Sequence, residues 1–239
     1  MTFTDKHVLV LGGTSGIGLA VAELAAEHGA RVTVASSRPA SLDRALAELP
    51  TAVTGEVADL TDPTATTALF DRVGALDHLV FTAGEALTLL TVEAMDLDAA
   101  RAAFGLRYFG ALNAVSLGAP HIRPGGSIVL TTGVAAERPG PGWSVASSIC
   151  GAITSLTRAL AVELAPLRVN AVSPGMVRSP LWAAIDEPTR EQMYTDTAKG
   201  LPLGRVGDAR EVAESYLYLM TATYATGSIV TIDGGHVLA

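Results

Sequence analysis

The stretch Gly12-Gly13-Thr14-Ser15-Gly16-Ile17-Gly18 holds the residue types and spacing that speak most directly of chemistry. An apolar run, His7 to Leu11, precedes it, and apolar residues at helical spacing from Ile17 to His28 follow, so the glycines turn a strand into a helix. The unpaired N–H groups and the dipole of that helix's first turn offer a seat for a pyrophosphate through Gly12, Thr14, Ser15, Gly16, Ile17 and Gly18. A tight turn without a ligand is the alternative. The next strand ends in Ser36-Ser37-Arg38, with no carboxylate. A carboxylate there would accept bonds from ribose hydroxyls, whereas an added phosphate needs a cation. Ser37 removes repulsion and Arg38 supplies a guanidinium fork, so the pair favours NADP over NAD; the alternative is a solvated arginine at a helix entrance.

Such a loop must be held by a sheet with helices packed on it. Short β-branched runs alternate with amphipathic ones, giving strands at His7–Leu11, Arg31–Ala35, Ala52–Val57, His78–Phe81, Ser127–Thr131, Arg168–Val172 and Ile229–Ile232. Between them the spacing predicts helices at Ile17–His28, Ala40–Leu49, Pro63–Val73, Ala99–Leu117, Trp143–Leu164 and Ala209–Met220. With right-handed crossovers this is an α/β Rossmann-type, doubly wound parallel sheet with helices on both faces. The 239 residues suffice for one domain spanning the whole chain, without a separate substrate domain. Ser179 to Pro202 interrupts the alternation with Pro180, Trp182, Pro188, Met193, Tyr194 and Gly200. It reads as a flap over the ligand cleft containing one or two short helices.

Composition narrows the partners. Hydrophobic residues make up 49% of the chain, yet no apolar run is expected to reach the roughly eighteen residues of a membrane helix. The polar amino terminus lacks the features of a secretory signal, which points to the cytoplasm. Cys150 is the single cysteine and the five histidines are scattered, so neither a disulfide nor a metal site is expected. A net charge of −8, with Lys6 and Lys199 as the lysines, argues against nucleic acid and leaves a small-molecule substrate.

The glycine loop resembles the Thr-Gly-x-x-x-Gly-x-Gly motif of the short-chain dehydrogenases/reductases, with Leu11 in place of the threonine. Thr82-Ala83-Gly84 resembles the end of that family's Asn-Asn-Ala-Gly segment, and Asp59-Leu60 its adenine-contacting pair. Arg168 to Gly175, Thr226-Gly227 and Asp233-Gly234-Gly235 are also typical. The resemblance implies that Asp59, Leu60, Ala83 and Gly84 contact the cofactor, that Pro174, Gly175 and Val177 border the nicotinamide, and that Ser179 meets its carboxamide. It also implies a homodimer or homotetramer.

Family members normally act through a serine, a tyrosine and a lysine, helped by an asparagine. Here the matching positions are Gly133, Ala146, Cys150 and Arg107. Without the tyrosine and lysine, general acid catalysis worth about 10²–10⁴-fold is lost. Arg107 is the candidate catalytic residue. A lone guanidinium on a helix face otherwise composed of Ala103, Phe104, Gly110 and Ala111 demands a partner. That partner is a substrate carboxylate, the cofactor ribose region, a developing oxyanion, or an ion-pairing group within the protein or across a subunit contact. The leading expectation is an NADP(H)-dependent oxidoreductase with non-standard proton delivery, acting on an imine or iminium ion, an activated enone or a polarised carbonyl. The alternatives are a non-catalytic cofactor sensor and a non-redox lyase or cyclase.

Overall fold

The computed structural model describes residues 2–87 and 89–239. In chain order the elements run β1 (His7–Leu11), α1 (Gly16–Glu27), β2 (Arg31–Ser36), α2 (Pro39–Glu48), β3 (Thr54–Val57), α3 (Pro63–Val73) and β4 (Leu76–Phe81). The second half continues with α4 (Leu97–Phe104), α5 (Ala111–Gly118), β5 (Ile122–Thr131), α6 (Ser144–Glu163), β6 (Arg168–Pro174) and β7 (Val177–Arg178). It ends with α7 (Glu187–Gly200), β8 (Gly207–Asp208), α8 (Ala209–Thr221) and β9 (Ile229–Ile232). Seven strands form one parallel sheet in the order β3-β2-β1-β4-β5-β6-β9. The direction of winding reverses between β1 and β4, which opens a crevice at the carboxyl ends of the strands.

Alternation along each strand divides the core between the two faces. Val8 and Val10 of β1 join Val21, Leu24, Val34, Tyr216 and Leu219 in one buried layer. Leu9 and Leu11 join Leu69, Phe70, Leu79, Ile128, Leu130 and Ile153 in the other. Two residues of the RVNAVSPG stretch tie β6 to its neighbours. Buried Arg168 donates to the carbonyls of Leu219, Met220, Ala222 and Ala225 at the end of α8. Asn170 donates to Ala225 O and accepts from Ser228 N, which sets β9 beside β6.

Three expectations are corrected. The continuous helix expected over Ala99–Leu117 is broken into α4 and α5 by a π-helical turn at Gly105–Gly110. That turn inserts extra backbone between glycines at both ends, and such insertions re-aim the side chains they carry. The flap holds a 3₁₀ turn, Pro180–Trp182, and one helix of 14 residues rather than only short pieces. Finally, the 20-residue α6 is long and apolar enough to cross a membrane by length and composition, contrary to the reading of the sequence. Its apolar character is used here against the sheet, through Ile149, Ile153, Thr157 and Leu160.

Candidate active site

The glycine loop lies where β1 and β4 end. Gly12 has φ +85°, and a Cβ there would fall 2.6 Å from Ala83 Cα. A Cβ on Gly18 would fall 2.3 Å from Gly12 O, and one on Gly13 would fall 2.7 Å from a Val34 methyl. Backbone packed this tightly excludes side chains and leaves the start of α1 bare. The N-cap residue, Ser15, makes no side-chain capping bond, and the first turn contains no acidic residue. The turn's orphan N–H groups and positive dipole end therefore remain for an external anion. Ser179 and Pro180 face the same spot, 3.4 and 3.3 Å from a Cβ placed on Gly16.

The crevice continues over β2 and β3. Ser37 and Arg38 are exposed at the mouth of α2, and the Arg38 guanidinium has no partner among the described residues. Asp59 accepts from Thr61 N at 2.9 Å and Thr61 Oγ1 at 2.7 Å, bonds that hold its carboxyl below the usual range. Leu60 is buried, and its carbonyl accepts from Asn113 Nδ2 at 3.4 Å, so α5 locks this loop in place. Asn113 escaped the reading of the sequence; the available signal was an amide among the apolar residues of a core helix.

At the other end of the crevice, β4, β5, α6 and the π turn converge. Arg107 is half-buried and lays its guanidinium on Gly84, where a Cβ would fall 2.6 Å from Nη1 and 2.8 Å from Cζ. Its Nη2 donates to the backbone carbonyl of Glu85, a partner that sequence reasoning missed. Arg107 joins no ion pair among the described residues. Desolvation lowers its pKa, while Glu85 and Cys150 act in the opposite sense. The Cys150 thiol is pushed up by burial against the opposing influence of Arg107 and Thr132, so it stays protonated at neutral pH. A Cβ on Gly133 would lie 3.2 Å from Cys150 Sγ. Arg107, Gly84, Cys150 and Gly133 thus meet in one place, although 66 positions separate the first and last of them in sequence (Gly84 to Cys150).

The neighbouring hydroxyls are committed elsewhere. Thr131 Oγ1 donates to Phe81 O at 2.6 Å and lies 2.7 Å from the buried Tyr216 hydroxyl, which burial keeps protonated. Thr132 Oγ1 donates to Cys150 O at 2.7 Å. Tyr108 packs edge-on against Phe104 and Phe109, and Tyr194 is buried beneath the Arg178 guanidinium, 4.5 Å from its ring centroid.

Residues 179–206, which include the stretch expected to form a flap, pack beside this end. Trp182, Tyr194, Leu201 and Val206 form a buried cluster against which Leu87, Trp143, Met176, Leu181, Ile185 and Met193 pack. Trp182 Nε1 donates to Val177 O, and Leu87 N donates to Leu181 O at 2.9 Å, joining the loop after β4 to the flap. Pro174 ends β6. Gly175 donates to Ile232 O at 2.9 Å, and a Cβ there would fall 2.7 Å from Asp233 Cα. The positions expected from the sequence to hold a cofactor gather at or after the carboxyl ends of β1, β2, β3, β4 and β6, with Val177 and Ser179 on the segment that follows β6.

Residues 12–236 match the family model described as enoyl-(acyl carrier protein) reductase. The chain is 36% identical over 258 residues to the short-chain dehydrogenase/reductase fsr5 of Gibberella fujikuroi, covering 98% of this chain and 95% of that protein. The solved structure of the MalC reductase/Diels-Alderase from Malbranchea aurantiaca superposes with a TM-score of 0.92 at 32% identity, covering 99% of this chain and 98% of that one. A small-chain dehydrogenase crystallised in complex with NADPH gives 0.86 at 35% identity, covering 98% and 99%. With a full-length match in sequence and the same winding of the sheet, the chain belongs to the short-chain dehydrogenase/reductase family.

Proposed function

We propose that this protein is an NADP(H)-dependent oxidoreductase with non-standard proton delivery, reducing an imine or iminium ion, an activated enone or a polarised carbonyl. One observation carries the reading: the Arg107 guanidinium rests on Gly84 beside Cys150 and Gly133, without an ion-pair partner among the described residues. In this reading Gly133, Ala146 and Cys150 occupy the places of the family's serine, tyrosine and lysine. A thiol whose pKa is raised by burial is a poor proton donor, and a methyl group is none.

The cradle fits the cofactor. Gly12, Thr14, Ser15, Gly16, Ile17 and Gly18 would hold the pyrophosphate, and Ser37 with Arg38 the 2′-phosphate. Asp59 and Leu60 would border the adenine, Ala83 and Gly84 the adjoining ribose region, and Pro174, Gly175, Val177 and Ser179 the nicotinamide. The relative solved with NADPH supports the choice of cofactor. Bound NADPH supplies a hydride. The chain's own contribution is a fixed positive charge: Arg107 stays protonated at any working pH and keeps N–H groups beyond the one given to Glu85. Aimed at a carbonyl or enone oxygen, those groups stabilise the charge that develops there, and solvent supplies the proton. An iminium ion becomes a neutral amine on receiving hydride and requires no donor at all.

The relative named as a reductase/Diels-Alderase favours a second reading, in which the same pocket also promotes ring formation with Arg107 as an electrostatic clamp. Product formed without a change in nicotinamide absorbance identifies that case. Exposed Leu97 and Phe109 border an apolar groove on α4 and the π turn, which supports the homodimer or homotetramer implied by the family. The deciding experiment is single-turnover absorbance of the NADPH-loaded protein with imine, enone and ketone panels. Oxidation by one class is expected; tight NADPH binding with no oxidation by any class leaves a non-catalytic sensor instead.

A further inference from the structure

We infer that Trp143 determines acceptor specificity, and that the acceptor is a planar conjugated system of at least two rings whose polar end lies at Arg107. The inference rests on the preceding reading of the Arg107 cleft as the acceptor site. Trp143 sits at the start of α6, with its ring centroid 6.0 Å from that of Trp182 and tilted by 55°. Trp182 is buried and its indole N–H is spent on Val177 O, whereas Trp143 is half-buried. Trp143 therefore presents the accessible aromatic surface of the wall.

Along α6, Trp143, Ala146, Ser147 and Cys150 recur at helical spacing and are all half-buried. Cys150 meets Gly133 and feels the charge of Arg107, so this stripe runs from the aromatic wall to the guanidinium. Seven residues of helix span about 10 Å. Between its ends the stripe carries only a methyl and a hydroxymethyl group, and Gly133 adds no side chain opposite. A stripe this bare suits a flat molecule, and its length exceeds that of a single six-membered ring. The wall is held in place by three segments remote in sequence. Leu87 N donates to Leu181 O, Leu90 N donates to Gly142 O at 3.0 Å, and Gly140 lies under the Trp143 ring, its would-be Cβ 3.2 Å from Cδ1. A prepositioned aromatic face selects planar partners, because stacking contributes only when both surfaces are flat.

The test is calorimetric titration of the NADP⁺-saturated protein with 2-acetylnaphthalene and with cyclohexyl methyl ketone, repeated on Trp143→Leu and Trp143→Phe. The expected result is saturable binding of the naphthyl ketone at least about tenfold tighter than the cyclohexyl ketone, a preference lost in Trp143→Leu and largely kept in Trp143→Phe. Equal affinity of the two probes, or an equal loss for both in Trp143→Leu with no recovery in Trp143→Phe, overturns the inference. Binding is read without turnover. A retained planar preference with no oxidation of NADPH by any acceptor would therefore sink the reductase reading and leave this one standing.

Discussion

If Arg107 and Cys150 stand where the family has asparagine and lysine, as proposed, the two replacements are mutually consistent. A lysine at position 150 would place an ammonium group against a guanidinium, and like charges at close range in a half-buried site destabilise the charged forms. Cys150→Lys is therefore expected to lower the unfolding free energy, measured by denaturant titration, by about 1–3 kcal/mol, and adding Arg107→Asn should recover most of that loss; the two single variants and the double variant form a cycle that measures the coupling. Arg107→Ala is expected to reduce kcat/KM by about 10²–10³-fold, as for loss of an oxyanion donor, with little change in NADPH affinity. Arg38→Ala separates the cofactor end from the chemical end. Losing one charged bond to the 2′-phosphate should weaken NADPH by roughly ten- to hundredfold in a calorimetric titration and leave NADH unaffected. The sequence singles out both arginines as candidates, Arg38 from its strand end and Arg107 from its place in the motif frame. The Gly84 and Glu85 contacts were not, because they depend on how far the guanidinium reaches across the crevice.

The elements were legible wherever a period runs unbroken. The strands of the first half and their helices follow the apolar spacing closely, since a buried parallel strand and an amphipathic helix each leave a distinct pattern. The π turn was hidden because one extra backbone residue hardly alters the apolar pattern of Ala99–Leu117 while it rotates everything it carries. The full length of α7 was hidden for another reason: its surface is polar nearly all round, and only Tyr194 is buried. That ring, with Arg178 stacked on it and bonded to both carboxylate oxygens of Glu191, pins the helix to β7. Tyr194→Ala is expected to cost about 3–5 kcal/mol, the range for emptying a buried aromatic site, and to loosen the acceptor wall more than the phosphate loop. A thermal melt and paired acceptor and NADPH titrations check both parts.

Across the whole molecule, chemistry and stability occupy opposite ends of the sheet. The carboxyl edge carries the glycine loop and Arg107; the amino edge carries a polar network centred on Asp77, which bonds His7 N, Lys6 and Arg123. Beside it His78 is buried against Phe3 and bonded to Ser127 Oγ at 2.9 Å, and desolvation pushes its pKa down from 6.5 to about 4. The folded state thus prefers the neutral ring. This contribution to stability is fully present above pH 6.5 and is lost as pH falls from there toward about 4, a difference of about 3 kcal/mol. Burial lowers the pKa of His7 as well, which adds a loss of the same sign. Urea midpoints at neutral and mildly acidic pH should show the fall, and His78→Phe should flatten it. At the opposite end, the proposed role of Arg107 rests on a guanidinium that stays charged across the working range. The most direct test of the proposed fixed charge is therefore the pH dependence of single-turnover NADPH oxidation by an enone or ketone acceptor, which does not itself titrate, for wild type and Arg107→Ala, from about pH 6 to 9. A hydride step that is flat across that range in the wild type and uniformly slowed in Arg107→Ala is the predicted result; a titration within the range that survives in Arg107→Ala would contradict it, because some other group would then be supplying the proton.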